Sequence, residues 1–328
     1  MSAIDASSPA KPKASRLVAL LVLAAIAALI VATPFLSNYH IRVVNSLLIY
    51  ILLGIGLNIV IGYTGLLDLG FVAFYAVGAY TYALLASPQL DLHLPFLLIV
   101  GIAALMGMIT GILLGIPVLK LRGDYLAIVT LGFGEIIRIV INNVDWLTGG
   151  PKGIARLDKA SILGVEVARP VEIYWLLLVT VVLTGILVWR LERSILGKAW
   201  AAIREDQDAA RGIGINTTNA KLAAFATSAT IGAVAGTIFA ASQRFVSPES
   251  FTLQESVLIV LMIVIGGIGN ILGIVAGAAI LILLPEMLRE FAEWRILFLG
   301  ILMVVLIIVR PAGIVPRSFG PEKLIRGL

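Results

Sequence analysis

PFLLIVGIAALMGMITGILLGIPVL (95–119) runs for 25 residues without a charged side chain. At about 1.5 Å per residue a helix of that length exceeds the roughly 30 Å of bilayer hydrocarbon, so the stretch reads as a membrane crossing. Outward from it, comparable runs recur at 17–35, 43–62, 66–87, 125–142, 171–190, 219–241, 256–270, 273–289 and 296–310. The pattern predicts an all-α polytopic membrane protein of about ten transmembrane helices. Composition points the same way: 60% of the 328 residues are hydrophobic and 13% charged, with a mean hydropathy of +1.07. Soluble domains are nearer half apolar and a quarter charged, so an ordinary cytosolic protein is excluded.

The net charge of +5 does not point to nucleic acid, because the basic residues lie in short segments between apolar runs, where they set orientation. With the N-terminus inside, fifteen Lys and Arg fall in inside segments and eight in outside ones, leaving Arg138 within a span. Both termini are therefore expected in the cytoplasm. The 17–35 run is too long for a signal-peptide core and has no small-residue cleavage site after it, so it reads as an uncleaved span. Residues 1–15, with Pro9, Lys11, Pro12 and Lys13, read as a disordered cytoplasmic tail. Residues 16–313 read as the transmembrane domain and 314–328 as a second cytoplasmic tail.

Two hydrophilic segments interrupt the apolar pattern. The outside one, about 143–170, carries Trp146, Gly149, Gly150, Pro151 and Gly153 and suits a turn-rich external cap. The inside one, about 191–218, places Ile195, Leu196, Ala199, Ala202, Ile203, Ala210 and Ile213 at helical spacing among charges, which predicts a cytoplasmic amphipathic helix. Within the spans, glycines at four-residue spacing (Gly107, Gly111 and Gly115; Gly232 and Gly236; Gly269, Gly273 and Gly277) predict closely packed helices.

With no cysteine and only His40 and His93, no metal or cofactor site is expected. Gly197-Lys198 is followed by Ala199 and lacks the upstream glycine of a phosphate loop, so energy must come from another chain or an ion gradient. Charges at membrane depth are costly and need a reason. Asp68, between Gly65 and Gly70, reads either as a gate residue or as a helix cap. Glu135 and Arg138, spaced i, i+3, can neutralise each other. Leu131, Glu135, Arg138 and Asn142 form a stripe expected to face the bundle interior, either as a structural ion pair or as lining of a path.

Four blocks carry a family likeness: GYTGLLDLGFVAFYAVGAY (62–80), LRGDYLAIVTLGFGEIIRIVINN with TGGPKGI after it, GKAWAAIREDQDAARGIGIN, and VLIVLMIVIGGIGNILGIVAGA. From about residue 45 to about 313 the chain resembles the permease subunit of branched-chain amino acid ABC importers. The resemblance implies a second, homologous permease subunit, two cytoplasmic ATPase subunits, a periplasmic substrate-binding protein and an amino acid substrate. It also implies an ATPase-docking signature, matched by Asp208, Ala209, Ala210 and Gly214 with Asp in place of the usual Glu, and lacking the downstream Ile-x-Leu-Pro. Arg204, Glu205 and Asp206 are expected to supply charged contacts at its rim. Gly65, Asp68, Gly70, Phe71, Tyr75, Thr130, Glu135 and Arg138 are the candidates for the pathway or gate. The similar permeases for urea or short amides, an ion-coupled secondary transporter and a channel or scaffold remain the competing readings.

The charge count yields a direct test. Cysteines introduced at Ser2, Ser194 or Ser318 should resist a membrane-impermeant maleimide in intact cells, whereas one at Ser161 should react. External labelling at 194 would overturn the orientation.

Overall fold

Lipid offers no hydrogen bonds to the backbone, so the apolar runs are mostly helical where the chain is described. The computed structural model describes residues 33, 36–119, 121, 123–162, 164–287, 295–310 and 313–315. The expected 17–35 span apart from residue 33, the 1–15 tail and nearly all of the 314–328 tail lie outside these residues. Helix α1 (Asn38–Asn58) continues through a π-helical turn, Ile59–Tyr63. It is followed by α2 (Val72–Leu85), α3 (Phe96–Val118), α4 (Asp124–Asn143), α5 (Pro170–Arg193), α6 (Ile195–Glu205) and α7 (Gln207–Gly212). The chain continues with α8 (Thr217–Gln243), α9 (Leu253–Gly266), α10 (Ile271–Met287) and α11 (Arg295–Val309). Among the described residues, five stretches are long and apolar enough to cross a membrane: Asn38–Tyr63, Phe96–Val118, Pro170–Arg193, Thr217–Gln243 and Pro248–Gly266. Val72–Leu85 and Ile271–Met287 are apolar but shorter.

Helix α8 runs through the bundle, packed most extensively on α3 and α2 and also on α1. Apolar burial gives helices no reason to associate in lipid, so close backbone approach must supply the contact. The glycine spacings do this. A Cβ on Gly107 or Gly111 of α3 would stand 2.7 Å from the carbonyl oxygen of Ala229 or Phe225 on α8. One on Gly236 of α8 would overlap the Tyr75 carbonyl of α2, and one on Gly78 would overlap that of Ala233. Gly273 and Gly277 seat α10 against Gly266 and Met262 of α9 in the same way. The share of the apolar window buried is 89% for α1 with its π turn but 22% for α5, which puts α1 in the core and α5 at the rim.

The connections gather at two opposite ends, as alternating crossings require. At one end Arg204 of α6 bonds the Gly62 carbonyl and the Gly269 N–H donates to Asn58 Oδ1 at 2.9 Å. At the other, the Asp158 N–H donates to Ala86 O at 2.7 Å and Tyr82 donates to Asp158 O at 2.9 Å. The expected turn-rich cap at 143–170 has more regular structure than turns alone. It holds a helical turn, Asp145–Thr148, and a hairpin of β2 (Ala160–Ile162) with β3 (Val165–Val167). In addition, β1 (Ile154–Ala155) pairs with β4 (Phe245–Val246). His93 joins this end to the 86–95 loop, with Nδ1 2.5 Å from Asp158 and Nε2 3.1 Å from Asp91. Hydrogen bonds to Asp158 and then Asp91 raise its pKa above the ordinary imidazole value.

The glycine contacts predict an asymmetry between two conservative substitutions. Gly236→Ala should lower stability by about 1–3 kcal/mol through overpacking. Gly185→Ala, where an added Cβ meets nothing within 4 Å, should leave it unchanged or slightly raised. Thermal unfolding of the detergent-solubilised protein separates the two.

Candidate functional site

The crossing expected over 66–87 is interrupted. After the π turn the backbone leaves the helix at Thr64 and resumes it only at Val72. Gly65 takes φ +72°, a conformation open to glycine at no steric cost. Gly70 lies flat on the Thr130 carbonyl of α4, where a Cβ would overlap it. Unwound backbone within a bundle survives only if its polar groups find partners. Here the Leu69 N–H donates to Thr130 Oγ1 at 3.0 Å, the Gly70 N–H to Asp68 Oδ1 at 2.9 Å and the Val72 N–H to Ser256 Oγ at 3.1 Å. Asp68, Thr130 and Ser256 are all fully buried. Asp68 Oδ1 thus closes a turn inside the unwound segment and does not cap α2, whose N-cap, Phe71, makes no side-chain capping bond. Phe71 and Tyr75 are also buried; Tyr75 packs its ring against Phe239 and Phe251 at 5.2 Å, and Phe71 packs on Phe74.

Arg138 and Glu135 pair closely: Arg138 Nε donates to both carboxylate oxygens at 3.1 Å, and its Nη2 also bonds Oε1. Their position departs from expectation. The stripe was expected to face the interior, yet the two side chains are 33% and 40% exposed on this chain. The face of α4 that is buried carries Leu126, Ala127, Thr130, Gly134 and Ile141, and the charged stripe lies one residue around the helix from it. A narrow cleft lined by Leu69, Val72, Leu131, Gly134, Glu135 and Phe251 lies between Glu135 and the interrupted segment. A half-exposed ion pair in a membrane helix requires water or another protein surface beside it.

The amphipathic helix expected over 191–218 is two helices. Asp206 divides them: its Oδ1 accepts the N–H groups of Asp208 at 2.8 Å and Ala209 at 2.9 Å, which caps α7 and restarts the helical phase. Ser194 caps α6 in the same manner. Trp200 and Ile203 face the bundle, and the Trp200 indole N–H donates to Ala220 O at 2.7 Å. One residue of the expected docking signature and one of its expected rim also point inward: Ala210 is 2% exposed, and the Arg204 guanidinium donates to the Gly62 carbonyl. Glu205, Asp206, Asp208, Ala209 and Gly214 remain exposed. Ile195 and Ile213, expected on the buried face, are instead 86% and 76% exposed.

Sequence reasoning missed Ser256 and the Tyr50–Glu255 contact, in which Tyr50 donates to the carboxylate at 2.6 Å. Glu255 lay just before an expected span and read as a boundary charge. The pairing with α1 crosses 205 residues of sequence, and no local spacing signals it.

A helical membrane bundle with an interrupted crossing, an ion pair within a span and a projecting pair of amphipathic helices has the architecture of a transport permease. The chain belongs to the branched-chain amino acid transport system permease component family, whose profile matches residues 39–309. It is 44% identical, over 95% of its own length and 77% of the relative's, to the high-affinity branched-chain amino acid transport system permease protein LivM of Escherichia coli (strain K12). The LivM protein of Salmonella typhimurium is 43% identical over the same shares. The autoinducer 2 import system permease protein LsrC of Escherichia coli is 26% identical over 62% of this chain and 60% of its own. No solved structure matches the chain.

The role of Thr130 in the interrupted segment is open to direct measurement. Thr130→Val leaves the buried Leu69 N–H without an acceptor and should cost about 1–3 kcal/mol in thermal stability. Thr130→Ser keeps the hydroxyl and should stay close to wild type.

Proposed function

We propose that this permease carries branched-chain amino acids across the bacterial inner membrane as one transmembrane half of an ATP-binding-cassette importer. Its partners in this reading are a second homologous permease subunit, two cytoplasmic ATPase subunits and a periplasmic substrate-binding protein. The observation that carries the reading is the 44% identity over 95% of the chain to a permease named for that transport. Geometry adds support for the ATP-driven part. Exposed Ile213, beside the small residues Ala209 and Gly214, offers an apolar surface that a groove on an ATPase subunit can close over, and Ile195 is exposed at the start of α6. Glu205, Asp206 and Asp208 supply charged contacts around it. ATP binding and hydrolysis in those subunits would then displace α6 and α7 and rock the bundle between outward and inward access.

In this reading both termini and the 191–218 segment lie in the cytoplasm, and residues 16–313 form the transmembrane domain between two tails. The half-exposed flank of α4 meets the second permease, so that Glu135 and Arg138 line the path at the seam. Gly65, Asp68, Gly70 and Thr130 form the wall that shapes it, with Phe71 and Tyr75 packed behind. The binding protein sets specificity, which accords with the sparse polar lining. A second reading, a different small solute such as urea, a short amide or another amino acid, is favoured by the likeness to a permease named for autoinducer 2 import.

Reconstitution with the partner subunits tests the reading. Leucine uptake into proteoliposomes should require ATP and the binding protein. Ile213→Asp and Gly214→Trp should leave the permease inserted but lower ATPase co-purification and uptake at least tenfold. Uptake by the permease alone, driven by an ion gradient, would overturn it.

A further inference from the structure

The contact between Arg204 and the Gly62 carbonyl spans 142 residues of sequence and joins the two parts of the site that the functional reading treats separately. Gly62 closes the π-helical turn at the end of α1, where carbonyl groups lack partners further along the helix. A guanidinium is well suited there, since the C-terminal end of a helix is the negative end of its dipole and Arg presents several donors in one plane. Three residues after Gly62 the chain turns at Gly65, whose absent side chain makes room for the same arginine: a Cβ there would stand 3.0 Å from Arg204 Cγ. From Gly65 the unwound backbone leads straight to Asp68 and to the Leu69–Thr130 bond, and Thr130 lies just over one helical turn from Glu135 on α4.

The other anchors of this region do not tie α6 to the interruption. Trp200 and Lys221 tie α6 and the start of α7 to the beginning of α8, with Lys221 Nζ donating to Gln207 Oε1 at 2.7 Å. Tyr63 reaches Glu192 near the end of α5 at 3.3 Å.

We propose that Arg204 is the positioning residue that links α6 to the interrupted crossing, so that displacement of α6 is passed through Gly62 to the Leu69–Thr130 contact. The proposal rests on the reading of α6 and α7 as the ATPase-coupling segment and gives one of its residues a different task. Arg204 does not touch the ATPase; it converts movement of the docked segment into movement of the wall beside Glu135. The break at 64–71 is the element that can move without loss of helix, because its backbone is already unwound and held by single hydrogen bonds to side chains.

The test is the number of amino acid molecules imported per ATP hydrolysed, measured on the reconstituted complex with its binding protein. Arg204→Met keeps the length of the side chain and removes the donors. It should leave ATPase co-purification intact and hydrolysis within about twofold of wild type, while uptake falls at least tenfold. Arg204→Lys, which retains one donor, should recover a substantial part of the uptake. Gly65→Ala perturbs the same contact from the other side and should lower the import ratio without releasing the ATPase, which guards against one variant that simply fails to fold. Release of the ATPase by Arg204→Met would make Arg204 a docking residue and overturn the proposal. A proportional fall in uptake and hydrolysis with lowered thermal stability would make it only a helix cap, and unchanged coupling would remove it altogether. Failure of the importer reading itself is distinct, because it shows in the wild type as uptake without ATP.

Discussion

A bilayer supplies no hydrogen bonds, and the eight unwound residues at 64–71 must therefore be satisfied entirely from within the protein. That requirement fixes much of what surrounds them. It places a threonine at 130 on α4, a serine at 256 on α9 and a carboxylate at 68 within the loop itself, each oriented toward a particular N–H. It also fixes the approach of α4 to the loop, since Gly70 lies on the Thr130 carbonyl and Gly134 sits beside it. A continuous helix over 64–85 would need none of these groups. The chain keeps three buried polar side chains and a glycine contact for the sake of one interruption.

The rest of the bundle is held together differently, by the absence of side chains along its centre. Gly78, Gly107, Gly111 and Gly236 bring α2, α3 and α8 close enough for backbone to touch backbone, and any added methyl group has nowhere to go. The contact gains dispersion energy along its length, and lipid competes poorly with it because lipid chains cannot match the surface so closely. Helices with bulky outward faces, α3 and α5 among them, then surround this centre with leucine, isoleucine and valine toward the membrane.

The crossings were legible in the sequence because hydropathy over about twenty residues reports the bilayer thickness directly. The i, i+3 spacing of Glu135 and Arg138 gave their pairing, and the four-residue glycine spacing gave the close packing, since both are properties of a single helix. What remained hidden depends on other elements. The interruption looks like a helix in hydropathy because Leu66, Leu67 and Leu69 are apolar, and only the partners Thr130 and Ser256 make the unwound form stable. Asp206 broke the amphipathic pattern in the same way. A cap in the middle of a periodic segment resets the phase, so Ile213 beyond it is exposed, whereas Arg204, before it, turns to the Gly62 carbonyl 142 residues away, a partner that no local spacing signals. The face of α4 turned outward was invisible for a related reason. A polar stripe signals that something other than lipid is nearby, without saying whether that is the same chain.

Three intramembrane acids show how far this chain satisfies itself. Asp68 is fully buried and caps the loop that carries it, and Glu255 takes a hydroxyl from Tyr50 of α1. Glu255 is thus partnered by a core helix, while Asp68 uses Oδ1 alone and its buried Oδ2 has no hydrogen-bond partner among the described residues. Glu135 alone is paired with a neighbour on its own helix and left 40% exposed, with Arg138 at 33%. Neutralisation within the pair removes the net charge, but the remaining dipole and the unused donors of the guanidinium still prefer water or a polar surface to hydrocarbon. Burial against this chain's own helices was available one residue around α4, where Thr130 and Gly134 lie, and the pair does not use it. The flank of α4 is thus the part of the bundle whose polar groups the chain does not finish by itself. It adjoins the cleft that leads to the interrupted crossing, and the linkage from α6 through Arg204 ends at the opposite side of that same interruption.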